Sequence, residues 1–127
     1  MPFLLDTHTI IWFLANDSKL PVKVKELIEE TEEDCFVSMA SLWEIGIKTS
    51  LNRLELHSDL PVLFDAIEQD GFSVLPIIPS NILSVAKLEF HHQDPFDRII
   101  IAQAITNNLT ILTKDRYFQN YPVKVIW

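Results

Sequence analysis

Short apolar runs bounded by polar residues recur along the chain. Runs of this kind are typical of strands that are buried on both faces of a parallel sheet. They predict five strands, at residues 3–5, 35–37, 72–75, 109–112 and 123–126.

Longer segments between these runs repeat their apolar residues at helical spacing. They predict helices at residues 9–15, 21–33, 38–51, 61–70, 80–88 and 94–105. Ser38 and Ser80 are suited to cap two of these helices, and Gly71 is suited to end one. Asn107 and Asn108 can close the last helix, which follows a polar loop at residues 89–94.

The alternation of strands and helices predicts an α/β fold. Parallel strands joined by helices need right-handed crossovers, which lay helices on both faces of a mostly parallel central sheet. We expect three α/β/α layers in one domain spanning residues 1–127. Sites in such sheets form beyond the carboxyl ends of the strands.

Composition agrees with a packed domain. Hydrophobic residues make up 48% of the 127, and the mean hydropathy is +0.17. No stretch approaches the ~20 apolar residues of a membrane helix, and the amino terminus lacks a basic segment typical of a signal peptide. The single cysteine, Cys35, is expected to be an inert buried thiol. These features predict a cytoplasmic protein that does not enter a membrane.

Acidic residues outnumber basic ones, giving a net charge of −8. That balance argues against a protein that coats nucleic acid by charge alone. Six of the 18 acids form one run, which is interpreted as the solvated face and end of a helix: Glu26, Glu29, Glu30, Glu32, Glu33 and Asp34. The remaining acids call for another explanation.

Four further carboxylates belong to separate elements that meet at one sheet edge. Asp6 and Asp115 follow predicted strands, Asp97 lies in the first turn of a helix, and Glu44 lies one to two turns into another. Because converging carboxylates repel each other, they need protons or a cation. Oxygen ligands suit Mg²⁺ or Mn²⁺, and a pair of such ions can support phosphodiester hydrolysis.

Zinc fits this chain less well. Cys35 is the only cysteine, and no two histidines have the spacing found in metalloproteases. His91 and His92 are adjacent, so on a regular element their side chains would point apart.

Two of these acids could instead be helix caps. Asp6 could cap the first helix. Asp97 lies three residues after Asp94 with Pro95 between them, an aspartate version of a capping box. Both roles remain open from sequence.

Other charges near the site also have simple alternatives. Asp115 could be a turn residue, and Glu44 could pair with Lys48 one helical turn away. Basic residues next to the acids could contact a phosphate backbone or serve as counter-charges; these are Lys48, Arg98, Lys114 and Arg116.

Four sequence blocks resemble the signature blocks of PIN domains, and most closely those of the VapC-like toxins of bacterial toxin–antitoxin systems. The blocks are residues 3–8 (FLLDTH), 38–48 (SMASLWEIGIK), 92–104 (HQDPFDRIIIAQA) and 113–115 (TKD). They occur in order along nearly the whole chain, and the third is the most specific.

The resemblance implies an α/β/α fold and RNA cleavage that depends on Mg²⁺ or Mn²⁺. It also implies a protein antitoxin and a homodimer. The family's metal-holding acids carry over to Asp6, Glu44, Asp97 and Asp115, with Asp94 as an outer addition. Thr7 and Thr113 are expected to hydrogen-bond the ligands or their waters.

The sequence leaves two functions open besides RNA cleavage. A non-catalytic PIN-like binding module could retain the same acids without turnover. An aspartyl-phosphate phosphatase would use Asp6 as its nucleophile, but that chemistry needs a second acid two residues later, where this chain has His8.

Overall fold

The computed structural model describes residues 2–127; Met1, part of the predicted single domain, lies outside the described residues. Five strands form one sheet within this range: β1 (Phe3–Leu5), β2 (Cys35–Ser38), β3 (Ser73–Leu75), β4 (Thr110–Leu112) and β5 (Lys124–Ile126). The sheet order is β3-β2-β1-β4-β5 and every pairing is parallel. The α/β prediction is confirmed.

Helices connect the strands along the described chain. They are α1 (Thr7–Leu14), α2 (Val22–Glu30), α3 (Met39–Ser50), α4 (Leu60–Gln69), α5 (Pro79–Lys87) and α6 (Pro95–Asn107). A 3-10 turn at Arg116–Asn120, which the hydrophobic pattern did not predict, follows β4. No helix of residues 2–127 is both long and apolar enough to cross a membrane.

The sheet separates two apolar cores. Phe3 and Leu5 face a core with residues of α1, α2 and α4, whereas Leu4 faces a core with residues of α6 and the 3-10 turn. The alternation follows from the two-residue period of a strand. These cores make the three layers that were predicted.

Chain order creates a reversal beside the central strand. From β1 the chain proceeds to β2 and β3 on one side, then returns to add β4 and β5 on the other. Leu5 of β1 is in register with Leu112 of β4, so the residues that leave these two strands emerge side by side. Such a reversal opens a crevice at the carboxyl ends of the strands.

Helix boundaries depart from the predictions where capping was misread. Helix α1 begins at Thr7 because Asp6 is its N-cap. Ser80 was predicted to cap α5, and this was wrong: the helix begins at Pro79, and the Asn81 side chain accepts a hydrogen bond from the Ile78 amide at 2.9 Å. The pattern alone did not reveal that a residue inside the first turn satisfies this end.

Two helix ends match the expected chemistry. Gly71 follows α4 with a φ of +89°, and Asn108 follows α6 with a φ of +54°. Glycine and asparagine adopt this left-handed conformation more readily than other residues do. Asn108 therefore turns the chain directly from α6 into β4.

Candidate metal centre

A cleft of about 290 Å³ opens at the crevice between β1 and β4. Five carboxylates line it, one or two from each surrounding element: Asp6, Glu44, Asp94, Asp97 and Asp115. The four acids predicted to converge therefore do share one cleft, together with the predicted outer addition.

Asp6 is held rigidly at the base of the cleft, with 6% of its surface exposed. Its Oδ1 accepts hydrogen bonds from the Thr9 amide at 3.0 Å and the Thr9 hydroxyl at 2.5 Å. Its Oδ2 accepts from the Thr113 hydroxyl. Burial raises the pKa of Asp6, and these hydrogen bonds oppose that rise.

The residue two positions after Asp6 weighs against the phosphatase. A carboxylate nucleophile needs an accessible oxygen with a free lone pair. Asp6 Oδ1 accepts two hydrogen bonds and Oδ2 accepts one, so Oδ2 keeps a lone pair toward the cleft, and the case against the phosphatase depends on the missing second acid. His8, at the position where a second acid is needed, is exposed at the cleft wall.

Glu44 is 3% exposed and is oriented by two neighbours. The Thr7 hydroxyl donates to its Oε1 at 2.7 Å, and Lys48 Nζ lies 2.5 Å from its Oε2. The helical pairing of Glu44 with Lys48 is therefore real, but it lies inside the cleft and is not a surface pair. Both neighbours fix the direction of the carboxylate.

Asp94, and not Asp97, caps α6. Oδ1 of Asp94 accepts from the amides of Phe96 at 2.8 Å and Asp97 at 3.1 Å. In a full capping box the Asp97 side chain would accept a hydrogen bond from the Asp94 amide. Here the Asp94 amide donates instead to Nδ1 of His92 at 3.2 Å. The Asp97 carboxylate is thus available to the cleft.

Asp97 is in electrostatic conflict with the other acids of the site. Burial, followed by the charges of Asp94, Glu44, Asp6 and Asp115, raises its pKa to about 8. In these surroundings a carboxyl group is ionised at neutral pH only if a positive charge offsets the negative charges of the neighbouring acids. The donor set contains oxygen atoms and no thiolate, so it fits Mg²⁺ or Mn²⁺.

Asp115 leaves β4 and caps the 3-10 turn. Its Oδ1 accepts from the Tyr117 amide at 2.9 Å, and its own amide donates to the Thr113 hydroxyl at 3.0 Å. Thr113 therefore connects Asp115 to Asp6. The predicted turn role of Asp115 and its position in the cleft occur together.

His92 belongs to the site although the sequence reasoning dismissed it. Its Nε2 lies 2.9 Å from Oδ2 of Asp97 and 3.0 Å from Oδ2 of Asp115. The two adjacent histidines do point apart, since His91 contacts Glu89. It is His92 alone that reaches the carboxylates of the cleft. The signal that could have found His92 was its position two residues before Asp94 at the start of α6.

The four basic residues near the acids occupy three different environments. Lys48 and Lys114 line the cleft. Arg98 is 4% exposed and donates to main-chain carbonyls of Glu89 and His92, among others, so it acts as a structural clamp. Arg116 is exposed on the 3-10 turn outside the cleft lining.

A model of the PIN-domain family matches residues 3–124, and the chain belongs to that family. The ribonuclease VapC22 of Mycobacterium tuberculosis is 29% identical over 121 residues, covering 93% of this chain and 90% of that protein. The predicted resemblance to PIN domains and VapC-like proteins is confirmed.

Solved structures share the fold at lower identity. VapBC2 of Rickettsia felis, determined with a DNA fragment from its promoter, has a TM-score of 0.72 at 14% identity, covering 99% of this chain and 98% of that chain. A toxin-antitoxin complex from Klebsiella pneumoniae has a TM-score of 0.68 at 18% identity, covering 98% and 95%. At these identities the likeness establishes the fold.

The raised pKa of Asp97 predicts a pH-dependent stability for the metal-free protein. Unfolded, this carboxyl ionises near its ordinary value of 3.8; folded, it keeps its proton up to about pH 8. The folded state thus binds more protons between these values, so the free energy of unfolding should fall as pH rises from about 4 to about 8. Urea unfolding in EDTA across this range measures the fall.

The Asp97→Asn variant isolates this contribution, because it removes the titrating group and keeps the shape of the side chain. It should show a smaller fall over the same pH range. Asp65→Asn, on the exposed face of α4, is the matched control and should follow the wild type. An identical fall in wild type and Asp97→Asn would contradict the account.

Proposed function

We propose that this chain is a metal-dependent endoribonuclease that hydrolyses RNA phosphodiester bonds at a Mg²⁺ or Mn²⁺ site formed by Asp6, Glu44, Asp97 and Asp115. The observation that carries the proposal is the convergence of these four carboxylates, from four separate elements, in one cleft of about 290 Å³. Burial and the neighbouring carboxylates raise the pKa of Asp97, and acids with a perturbed pKa in a cleft are typical of a catalytic centre.

The side chains around the acids have distinct tasks in this proposal. Thr9 and Thr113 keep the Asp6 carboxylate in one orientation, and Thr7 and Lys48 do the same for Glu44. Fixed ligands reduce the reorganisation needed when charge develops at the reacting phosphate.

The metal, when bound, activates water and stabilises charge on the phosphate oxygens. Lys114, exposed at the cleft wall, is suited to hold a neighbouring phosphate of the RNA backbone. Lys48, within the cleft, offsets part of the negative charge that would otherwise repel RNA from an acidic protein. A few local cations therefore suffice for substrate contact.

The biological role we infer is that of the toxin in a toxin–antitoxin pair. A relative over most of the chain is a VapC ribonuclease, and a structure of the same fold is a toxin-antitoxin complex. An antitoxin that inserts an arginine into the cleft would neutralise its carboxylates and exclude substrate. A small antitoxin-like reading frame next to the gene for this chain would support the role.

The nuclease proposal predicts RNA cleavage in the presence of Mg²⁺ or Mn²⁺ and none in EDTA. Asp6→Asn and Asp97→Asn should each reduce the rate by at least about 10²-fold, because each removes a principal electrostatic contributor. The measurement is cleavage of a fluorescent single-stranded RNA, with a DNA strand of the same sequence as a comparison.

Asp65→Asn is the control for these variants and should retain wild-type activity, since Asp65 is exposed on α4 away from the cleft. Wild-type rates in either site variant would reject the assignment of the site. Metal binding without any cleavage of RNA would favour the non-catalytic binding module.

We also propose a homodimer, formed through helix α5. This helix exposes Ile82 at 55% and Leu83 at 67%. Adjacent exposed apolar side chains of this size are characteristic of an interface.

Leu83→Glu should therefore convert a dimer into a monomer, because it would bury an unpaired charge in the interface. Light scattering coupled to gel filtration, at tens of micromolar (roughly the range in which a standard interface holds), measures the mass. Val22→Glu, at a position 68% exposed on α2, is the matched control and should remain dimeric. A monomeric wild type at these concentrations would exclude the dimer.

A further inference from the structure

His92 contacts two carboxylates of the site, yet the proposed reaction assigns it no role. Its Nε2 lies 2.9 Å from Asp97 Oδ2 and 3.0 Å from Asp115 Oδ2. We propose that His92 is a hydrogen-bond donor, through Nε2, that positions these two carboxylates from outside and is not itself a metal ligand. The inference rests on the proposed metal site.

The main chain decides which nitrogen of His92 carries the proton. The Asp94 amide donates to Nδ1 at 3.2 Å, so Nδ1 must present a lone pair. The ring proton is therefore on Nε2, the atom that faces Asp97 and Asp115. Nε2–H donates to the Asp115 carboxylate and lies equally close to the carboxylate of Asp97.

The alternative, in which Nε2 binds the metal, conflicts with this arrangement. A ligating Nε2 must give up its proton, which would then have to reside on Nδ1. The Nδ1–H and the Asp94 N–H would point at each other, leaving two donors without an acceptor. Asp94 cannot turn away freely, because its carboxylate caps α6.

A buried clamp holds the main chain of His92 in place. The His92 amide donates to the Tyr121 hydroxyl at 2.9 Å, and that hydroxyl donates to the Glu89 carbonyl at 2.8 Å. Arg98 donates to the same Glu89 carbonyl at 2.9 Å and to the His92 carbonyl at 3.3 Å. These hydrogen bonds hold the main chain of the surface loop at residues 88–92 in one conformation.

The His92 ring is also packed on one side of the 3-10 turn. Its centroid lies 5.4 Å from that of Tyr117 and 6.1 Å from that of Phe118. A ring fixed by packing and by its main chain can set the separation of Asp97 and Asp115. Outer partners of this kind typically affect metal affinity by about 10–100-fold.

The two roles predict different metal preferences. Mg²⁺ binds oxygen ligands and rarely takes imidazole, whereas Mn²⁺ accepts imidazole more readily. Loss of a positioning donor should weaken the binding of both ions by about the same factor. Loss of an imidazole ligand should weaken the binding of Mn²⁺ far more than that of Mg²⁺.

Isothermal titration of the full chain with MnCl₂ and, separately, MgCl₂ tests the inference. His92→Ala is expected to raise the Kd of both ions by about 10–100-fold, with the Mn²⁺/Mg²⁺ ratio unchanged. His92→Gln, whose amide can still donate near the Nε2 position, should recover part of the affinity. His57→Gln is the matched control, since His57 is exposed and lies outside the cleft lining, and should bind as the wild type does.

Unchanged Kd values in both His92 variants would overturn the inference, and so would a loss confined to Mn²⁺, which would make His92 a ligand. Far-ultraviolet circular dichroism and thermal melts in EDTA verify folding, and His92→Gln keeps the test valid if His92→Ala unfolds. A wild type that binds neither ion would refute the proposed metal site itself, which is a separate and distinguishable failure.

Discussion

Mutual repulsion of carboxylates in one small cleft is the constraint to which the rest of this site responds. Five acids line a cleft of about 290 Å³, and burial together with the charges of the other four raises the pKa of Asp97 to about 8. Repulsion between carboxylates this close together lowers the stability of the folded state, so the rest of the fold must be stable enough to hold them there. The buried sheet and its two apolar cores meet that demand, since the strands that carry the acids have almost no exposed side chains. A divalent cation would relieve this repulsion, so metal binding should stabilise the folded state.

The surroundings of the cleft relieve the conflict only in part. Threonine hydroxyls satisfy the oxygens of Asp6, a lysine pairs with Glu44, and His92 bridges Asp97 and Asp115. Each of these contacts fixes a direction, but only the lysine adds a formal positive charge. The site is therefore organised in advance while its net charge remains negative. Such an arrangement favours a cation over a neutral ligand and keeps ligand geometry ready for it.

Much of this architecture could be predicted from local pattern. Strand ends are readable from apolar runs, so Asp6 and Asp115 could be assigned to the same sheet edge. The role of Arg98 could not be predicted, because a charged residue in a sequence carries no information on its burial, and its acceptors include carbonyls six to thirteen residues away. His92 was missed for a related reason: its direction depends on Tyr121 and Arg98, which meet its loop only in the folded chain. One helix start was also predicted wrongly, since the Asn81 side chain satisfies the end of α5 that was assigned to Ser80.

The most direct test of the account is a crystal structure of the full chain grown with Mn²⁺ and measured at the manganese absorption edge. The account predicts an anomalous peak in the cleft, at about 2.0–2.3 Å from carboxylate oxygens that include those of Asp6 and Asp97 and beyond bonding distance from His92 Nε2. A cleft without an anomalous peak at saturating Mn²⁺, or a peak bound at another surface only, would contradict the central claim that these carboxylates form a metal centre.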